Sequence, residues 1–321
     1  MQGVVNFMLK FAPGVSPHYY ERARRSGAPL SDRFESRLGV LTSSLGDPRV
    51  EAEPVWYPNA ATAACWRRDD KTLALILERD ARSGARVLLW CVSDGELATL
   101  TEAARTRADR VAAADFNRFF DQQMARLAEP FWHRFLHFMM LVDDLAVIPD
   151  RAGTLLAGKL QDTDGEVRCA AADVVLELGG GLHAVLPLLD DTEDWVRWHV
   201  TGSLARYGDD SVAEPLIARL RSDPDPAVRG QAAYALGHVG SPEAIPHLLD
   251  ALDHDRECDS QGHSPSSISA TALDNILGTN QTRILLDGGF CTMAPWPPDY
   301  DALRTQAWEL YRKWKAHPNA I

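Results

Sequence analysis

In the second half of the chain, apolar residues recur at offsets of three and four between short acidic stretches, the period of helices that bury one face. The pattern comes three times. Asp162, Asp164, Val167 and Arg168 precede Ala171, Ala172, Val174, Val175 and Leu176; Asp191, Glu193, Val196 and Arg197 precede Val200, Thr201, Ser203, Leu204 and Ala205. Asp223, Asp225, Val228 and Arg229 precede Ala232, Ala233, Ala235, Leu236 and Gly237. The arginines are 29 and 32 residues apart, and a glycine follows each at the same offset: Gly179, Gly208, Gly240. Each unit should hold a helix opened by an acidic cap and stopped by glycine. Second amphipathic stretches lie at 182–189, 212–220 and 244–252, and a matching one at 154–160 precedes the first unit. Helix–turn–helix units of about 31 residues would then stack as a solenoid.

The N-terminal half is patterned differently. Residues 71–79 and 86–92 are rich in Leu, Ile and Val and are separated by Asp80-Ala-Arg-Ser-Gly-Ala85, which predicts a β-hairpin, with 61–67 as a third strand. Ser93-Asp-Gly-Glu96 is a capping box. The Ala-rich segment from there to about 129 reads as helical, a second helix follows at 131–144, and Ser16-Pro17 and Ser31 mark two short helices upstream.

The segment Asp-Pro-Asp-Pro-Ala-Val-Arg-Gly-Gln-Ala-Ala-Tyr-Ala-Leu-Gly at 223–237 resembles the HEAT-like repeats of the phycobilisome-lyase type, and the likeness extends over roughly 151–278. The resemblance implies a mainly α chain: a C-terminal α-solenoid of about four HEAT-like helical pairs behind a small N-terminal α+β domain. It also implies structural roles for Asp164, Glu193 and Asp225 as helix caps and for Arg168, Arg197 and Arg229 as ties between neighbouring units. The expected organisation is an α+β domain over 1–100, bridging helices over 101–150, repeats over 151–278, and a loop with a capping helix over 279–321. That last helix would show Leu303, Ala307, Leu310, Tyr311 and Trp314 at helical spacing, after a Pro-rich loop at 295–298. Trp308 and Trp314 read as core or cap residues.

The fourth unit departs from the pattern. Its first helix is intact, but a polar stretch at 253–267 precedes the second, whose apolar face is Ala272, Leu273 and Leu277, and Ser266 stands where the others have arginine. The insert carries His254, Cys258 and His263 among Asp253, Asp255, Glu257 and Asp259. Those side chains could in principle ligate a metal, but their spacing matches no common zinc template, so no metal is expected and a solvated acidic loop is the alternative.

Composition adds limits. With 321 residues, 45% hydrophobic and 24% charged, the chain is ordinary globular material, and its apolar runs are too short to cross a bilayer. The N-terminus does not read as a secretory signal, and the five scattered cysteines include no Cys-x-x-Cys pair, so reduced thiols and a cytoplasmic location are expected. Residues 1–150 carry net charge −1 and the remainder −11. An acidic half is poorly suited to nucleic acid and well suited to a basic protein or peptide partner.

Enzyme templates fail in turn. The chain has no phosphate-binding loop, dinucleotide fingerprint, nucleophile elbow or His-Glu-x-x-His, and none of its ten histidines precedes glutamate, as the di-iron branch of HEAT-like hydroxylases would need. No cofactor is called for. The lyase branch of the family leaves no transferable catalytic signature in this chain.

What remains is a surface. In the second unit Trp195, Trp198 and His199 replace the smaller or polar residues of the other units, and the offsets facing away from the packed stripe hold Cys169, Asp173 and Glu177, then Trp198, Gly202 and Arg206, then Gly230, Tyr234 and His238. One reading makes Trp195, Trp198, His199, Asp173, Glu177, Arg206, Tyr234 and His238 an acidic, aromatic-lined groove for a protein partner, on a chain that is monomeric when free. Another packs Trp195 or Trp198 on the N-terminal domain. A third makes the chain a lyase, an isomerase or a peptide-modifying or natural-product-modifying enzyme, with a pocket between the N-terminal domain and the repeats and His199, Asp173, Glu177, Tyr234 or His238 as acid–base candidates. By analogy of acidity and domain style alone, a bacterial toxin-neutralising protein would suit the first reading.

Overall fold

The computed structural model describes residues 19–22, 30–52, 54–57, 60–78, 86–128, 134–179, 181–278 and 300–317. The 80–85 turn and the 295–298 loop fall outside them, but the short helix expected to start at Ser16-Pro17 is not formed: Tyr19–Arg22 is a strand, paired antiparallel with 86–89. The chain divides into two compact units, Met1–Gly180 and Gly181–Ile321.

The first unit is built on an antiparallel sheet of β1 (Tyr19–Arg22), β2 (Arg49–Ala52), β3 (Ala60–Arg68), β4 (Lys71–Glu78) and β5 (Arg86–Ser93), in the order β1-β5-β4-β3-β2. The hairpin and third strand read from the sequence are β4, β5 and β3, with Leu73 opposite Cys91 and Trp66 opposite Leu73. Period-two alternation sorts the side chains. Ala64, Trp66, Leu73, Leu75 and Cys91 join Phe34 and Leu41 of α1 (Leu30–Leu45) on one face. Ala63, Ala74, Ile76 and Val92 meet Leu100 of α2 (Asp94–Ala112) and Met139 of α4 (Arg134–Ala146) on the other. Because both faces are covered, β4 reads as a continuous apolar run.

Two further sequence expectations change here. The helix near Ser31 is sixteen residues long rather than short. The Ala-rich segment breaks at 113–115 into α2 and α3 (Phe116–Leu127). The break has a cause in phase. α2 buries Leu100, Ala103 and Val111, and continuing its period would turn Ala114, Asp115 and Arg118 inward, whereas the buried aromatic residues are Phe116 and Phe120. Restarting the helix at Phe116 brings Phe116, Phe120, Met124 and Leu127 onto one buried face. The capping box at the start of α2 is formed as expected: the Glu96 N–H donates to Ser93 Oγ at 3.2 Å, and the Ser93 N–H to Glu96 Oε2 at 3.0 Å. This unit ends with α5 (Pro149–Lys159) and α6 (Gly165–Glu177).

The second unit consists of helical pairs. A short α7 (Leu182–Val185), continued by a 3-10 turn over Leu186–Asp190, leads to α8 (Asp194–Tyr207); α9 (Ala213–Ser222) leads to α10 (Pro226–Val239); α11 (Ile245–His254) leads to α12 (Pro265–Leu277); α13 (Tyr300–Ala316) follows. Burial repeats with the sequence. α10 buries Ala232, Ala233, Ala235, Leu236 and Gly237, and α12 buries Ser269, Ala270, Ala272, Leu273 and Asp274 at the same offsets from Ser266 as from Arg229. A Cβ on Gly237 would lie 2.6 Å from Ala272 Cα, so these helices approach at backbone distance. The helix-stopping glycines act in two ways. Gly240 is left-handed at φ 78, but Gly208 is extended, and a Cβ there would meet Val212 Cγ2 at 2.6 Å. In α13, Leu303 and Ala307 are buried as expected, whereas Trp308 is 39% exposed and is no core residue.

Candidate functional site

The acidic caps and the arginines form one hydrogen-bonded system. Asp225 Oδ1 accepts the Ala227 and Val228 N–H groups at 2.7 and 3.3 Å, and Asp164 Oδ1 accepts the Glu166 N–H at 2.9 Å. Glu193 makes no such bond; its carboxylate takes the Trp195 indole N–H at 2.8 Å. Trp195 is thus a half-buried clasp on its own turn.

Each arginine folds back to the carbonyl six residues before it: Arg168 to Asp162 at 2.8 Å, Arg197 to Asp191 at 2.9 Å, Arg229 to Asp223 at 2.9 Å. The other edge of the guanidinium reaches forward. Arg197 grips Asp223 in a fork at 2.9 and 2.9 Å, and Arg229 grips Asp255 at 2.7 and 3.1 Å and adds Glu257 at 2.7 Å. These bonds, with Asp223 and Asp255 as their first cause, hold both guanidinium groups above their already high range.

The insert of the fourth unit is thereby explained. Asp255 and Glu257 belong to Arg229, Asp253 takes Arg304 Nε of α13 at 3.1 Å, and Asp259 accepts the Gln261 and His263 N–H groups at 2.8 Å each. His254 Nδ1 lies 3.1 Å from Asp250 Oδ1, and Cys258 is exposed with its thiol turned to the Arg256 carbonyl. Among the described residues no group of three or more His, Cys, Asp or Glu side chains is arranged to hold a metal. Alanine at His254, Cys258 and His263 together is expected to leave the melting temperature and metal content of purified protein unchanged; loss of near-stoichiometric zinc or iron from the parent would reverse that reading.

The outward line of the second helices is only partly outward. Cys169 is 2% exposed and Gly230 is buried, where a Cβ would meet Ile268 Cδ1 at 2.8 Å, so both join the packing instead of the surface. Trp198 is 46% exposed and Tyr234 43%. On α10 the Tyr234 and His238 rings lie 4.1 Å apart, with His238 Nδ1 3.0 Å from the Tyr234 carbonyl oxygen. On α8 the Arg206 guanidinium lies over the Tyr207 ring at 5.6 Å and donates to Ser203 Oγ at 3.1 Å. Burial raises the Tyr234 hydroxyl above its usual range while Arg206 draws it down, which makes Tyr234 a weak acid at neutral pH and leaves its ring as the useful feature. Trp198, His199, Arg206, Tyr234 and His238 belong to the C-terminal unit; Asp173 and Glu177, both half-buried, belong to α6 of the N-terminal unit.

A pair of carboxylates went unread in the sequence. Asp143 and Asp144 of α4 meet Arg107 and Arg110 of α2. Two adjacent acids inside the apolar helix Arg-Phe-Leu-His-Phe-Met-Met-Leu-Val-Asp-Asp-Leu-Ala were the available signal.

Compared with known families, residues 182–260 match the model for HEAT repeats. No curated protein matches the chain. With the helical pairs and the arginine–aspartate ties already described, this places HEAT-like repeats in the C-terminal region of a mainly α chain that has a small N-terminal α+β part. Repeats of this kind are in general scaffolds for protein–protein interaction. No helix among the described residues is long and apolar enough to cross a membrane.

Proposed function

We propose that this protein is a recognition scaffold that holds a basic protein or peptide partner on the second helices of its repeats, without chemistry of its own. The observation that carries the reading is the exposure of two large aromatic side chains, Trp198 at 46% and Tyr234 at 43%, on helices whose neighbouring positions are small and closely packed. Exposed aromatic anchors beside tightly packed helices are what interface centres are made of. Arg206 and His238 supply polar contacts beside them. Net charge of −11 from residue 151 onward would draw in a cationic partner.

The two contributions separate experimentally. Affinity capture from the native host, run side by side with parent and Trp198→Ala, should retain a partner on the parent and lose it on the variant, while both melt at the same temperature. Against that purified partner, Trp198→Ala should raise the dissociation rate and weaken binding by about 2 kcal/mol or more. Raising the salt concentration should instead slow association while leaving dissociation nearly unchanged. Identical captures from parent and Trp198→Ala would reject this surface.

A further inference from the structure

β2 forms one edge of the five-stranded sheet, with β3 on its inner side. Its two faces are unlike. Arg49 and Glu51 stand opposite Cys65 and Ala63 and share the face that carries Trp56; Val50 stands opposite Ala64, on the face that carries α1. Because α1 lies over β4 and β5, Val50 is left 60% exposed. Arg49 Nε lies 3.2 Å from Glu51 Oε1, and the Trp56 indole N–H donates to Glu51 Oε2 at 3.0 Å. A positive and a negative charge thus sit side by side along the edge.

The backbone has a direction there. Thr62 Oγ1 donates to the Glu51 carbonyl at 3.2 Å, so that carbonyl is turned toward β3. Successive residues of a strand turn their polar groups to opposite sides, which leaves the N–H and C=O of Val50 and Ala52 turned to the open edge. Among the described residues no strand pairs with that side of β2. Such an edge is a template for one more strand.

The sequence Arg-Val-Glu-Ala defines what fits. When two copies of β2 lie antiparallel about a two-fold axis and their sheets keep the same faces, outward residues pair with outward residues, so the axis passes through a residue. An axis through Glu51 sets Glu51 against Glu51. An axis through Arg49 sets Arg49 against Arg49 and needs a donor from Pro48, which has none. An axis through Val50 lets the two valines exchange N–H···O=C bonds and places each Arg49 opposite the other chain's Glu51.

We propose that β2 is a dimerisation edge: two copies of this chain join antiparallel through Val50, each Arg49 facing Glu51 of the other, and their five-stranded sheets continue into one another. Opposite charges directly across an antiparallel pair attract and like charges repel, so the alternating ring of two arginines and two glutamates fixes the register. The exposed valines meet on the other face. The contact is short, so the dimer is of the weak class that forms as concentration rises. A chain read as monomeric from its sequence is dimeric under those conditions.

The test uses the full chain. Sedimentation equilibrium over a range of concentrations should show a reversible monomer–dimer equilibrium that weakens as salt rises. Arg49→Glu and Glu51→Arg should each weaken self-association by about tenfold or more, because both cross-strand pairs become like-charged. An equimolar mixture of these two variants should regain a dimer, since every acid of one chain then faces a base of the other. Val50→Pro removes an outward N–H without touching the ladder to β3, and should be monomeric while melting like the parent. The charge variants and their mixture carry the test should Val50→Pro fold poorly. A parent that stays monomeric at the highest attainable concentration, single charge variants that dimerise like the parent, or a mixture no more associated than its components would each overturn the proposal.

Discussion

Asp223→Ala is expected to cost about 3–5 kcal/mol, enough to unfold the C-terminal unit of an ordinary domain near its stability limit. The size comes from what is left behind. Arg197 is 8% exposed and its forward fork is bound to Asp223, so the alanine variant keeps a buried guanidinium without its hydrogen-bonded carboxylate, with Asp194 and Asp225 acting on it only through space. The same carboxylate accepts the Asp225 N–H at 3.0 Å and lies 3.6 Å from Arg219, so the turn into α10 loosens as well. A control separates charge from shape. Arg197→Met combined with Asp223→Leu removes both charges while keeping volume, and should recover most of the loss in thermal or urea melts. If Asp223→Ala melts like the parent, the fork is ornamental and the repeats are held by apolar packing alone.

Ala233→Asp should be as damaging, for a different reason. Ala233 is wholly buried on α10, in the line that packs against α12, where Gly237 already lies at backbone distance from Ala272. An aspartate there has neither room nor a partner, and burying a carboxylate without either costs several kcal/mol. Circular dichroism should show loss of helix in the C-terminal unit. A cooperative melt at the parent temperature would mean that the packed face of α10 lies elsewhere.

The repeat half was legible because its signals are local and repeated. Offsets from Arg168, Arg197 and Arg229 announce the buried positions, and the departure at Ser266 could be aligned because Ser269, Ala270, Ala272 and Leu273 keep the spacing. β3, β4 and β5 were legible as apolar runs. β2 was not: Arg-Val-Glu-Ala has a solvent-facing composition, and it is a strand only because β3 lies beside it, with Arg49 opposite Cys65 and Ala52 opposite Thr62. The break between α2 and α3 was hidden by alanine, which favours helix wherever it stands, so only tertiary packing of Phe116 and Phe120 decides the phase. At the candidate surface the offsets found Trp198 and Tyr234 but put Cys169 and Gly230 on the wrong side, because exposure at those positions depends on how closely adjacent helices approach, which spacing within one helix does not encode.

The direction of the arginine forks bears on how such an array grows. Arg197 reaches into the next turn for Asp223, and Arg229 reaches into the next for Asp255, so the unit between them presents an acceptor at its front and a donor to its successor. A gene duplication that copies one whole unit in frame would bring both halves of the junction with it, and the lengthened array would need no newly invented contact. Ser266 interrupts that grammar: its hydroxyl turns back to the Leu252 carbonyl at 2.6 Å and offers nothing forward. A single substitution thus writes a full stop, and a unit grafted behind α12 would have to be given an arginine at 266 before it could be read as the next word.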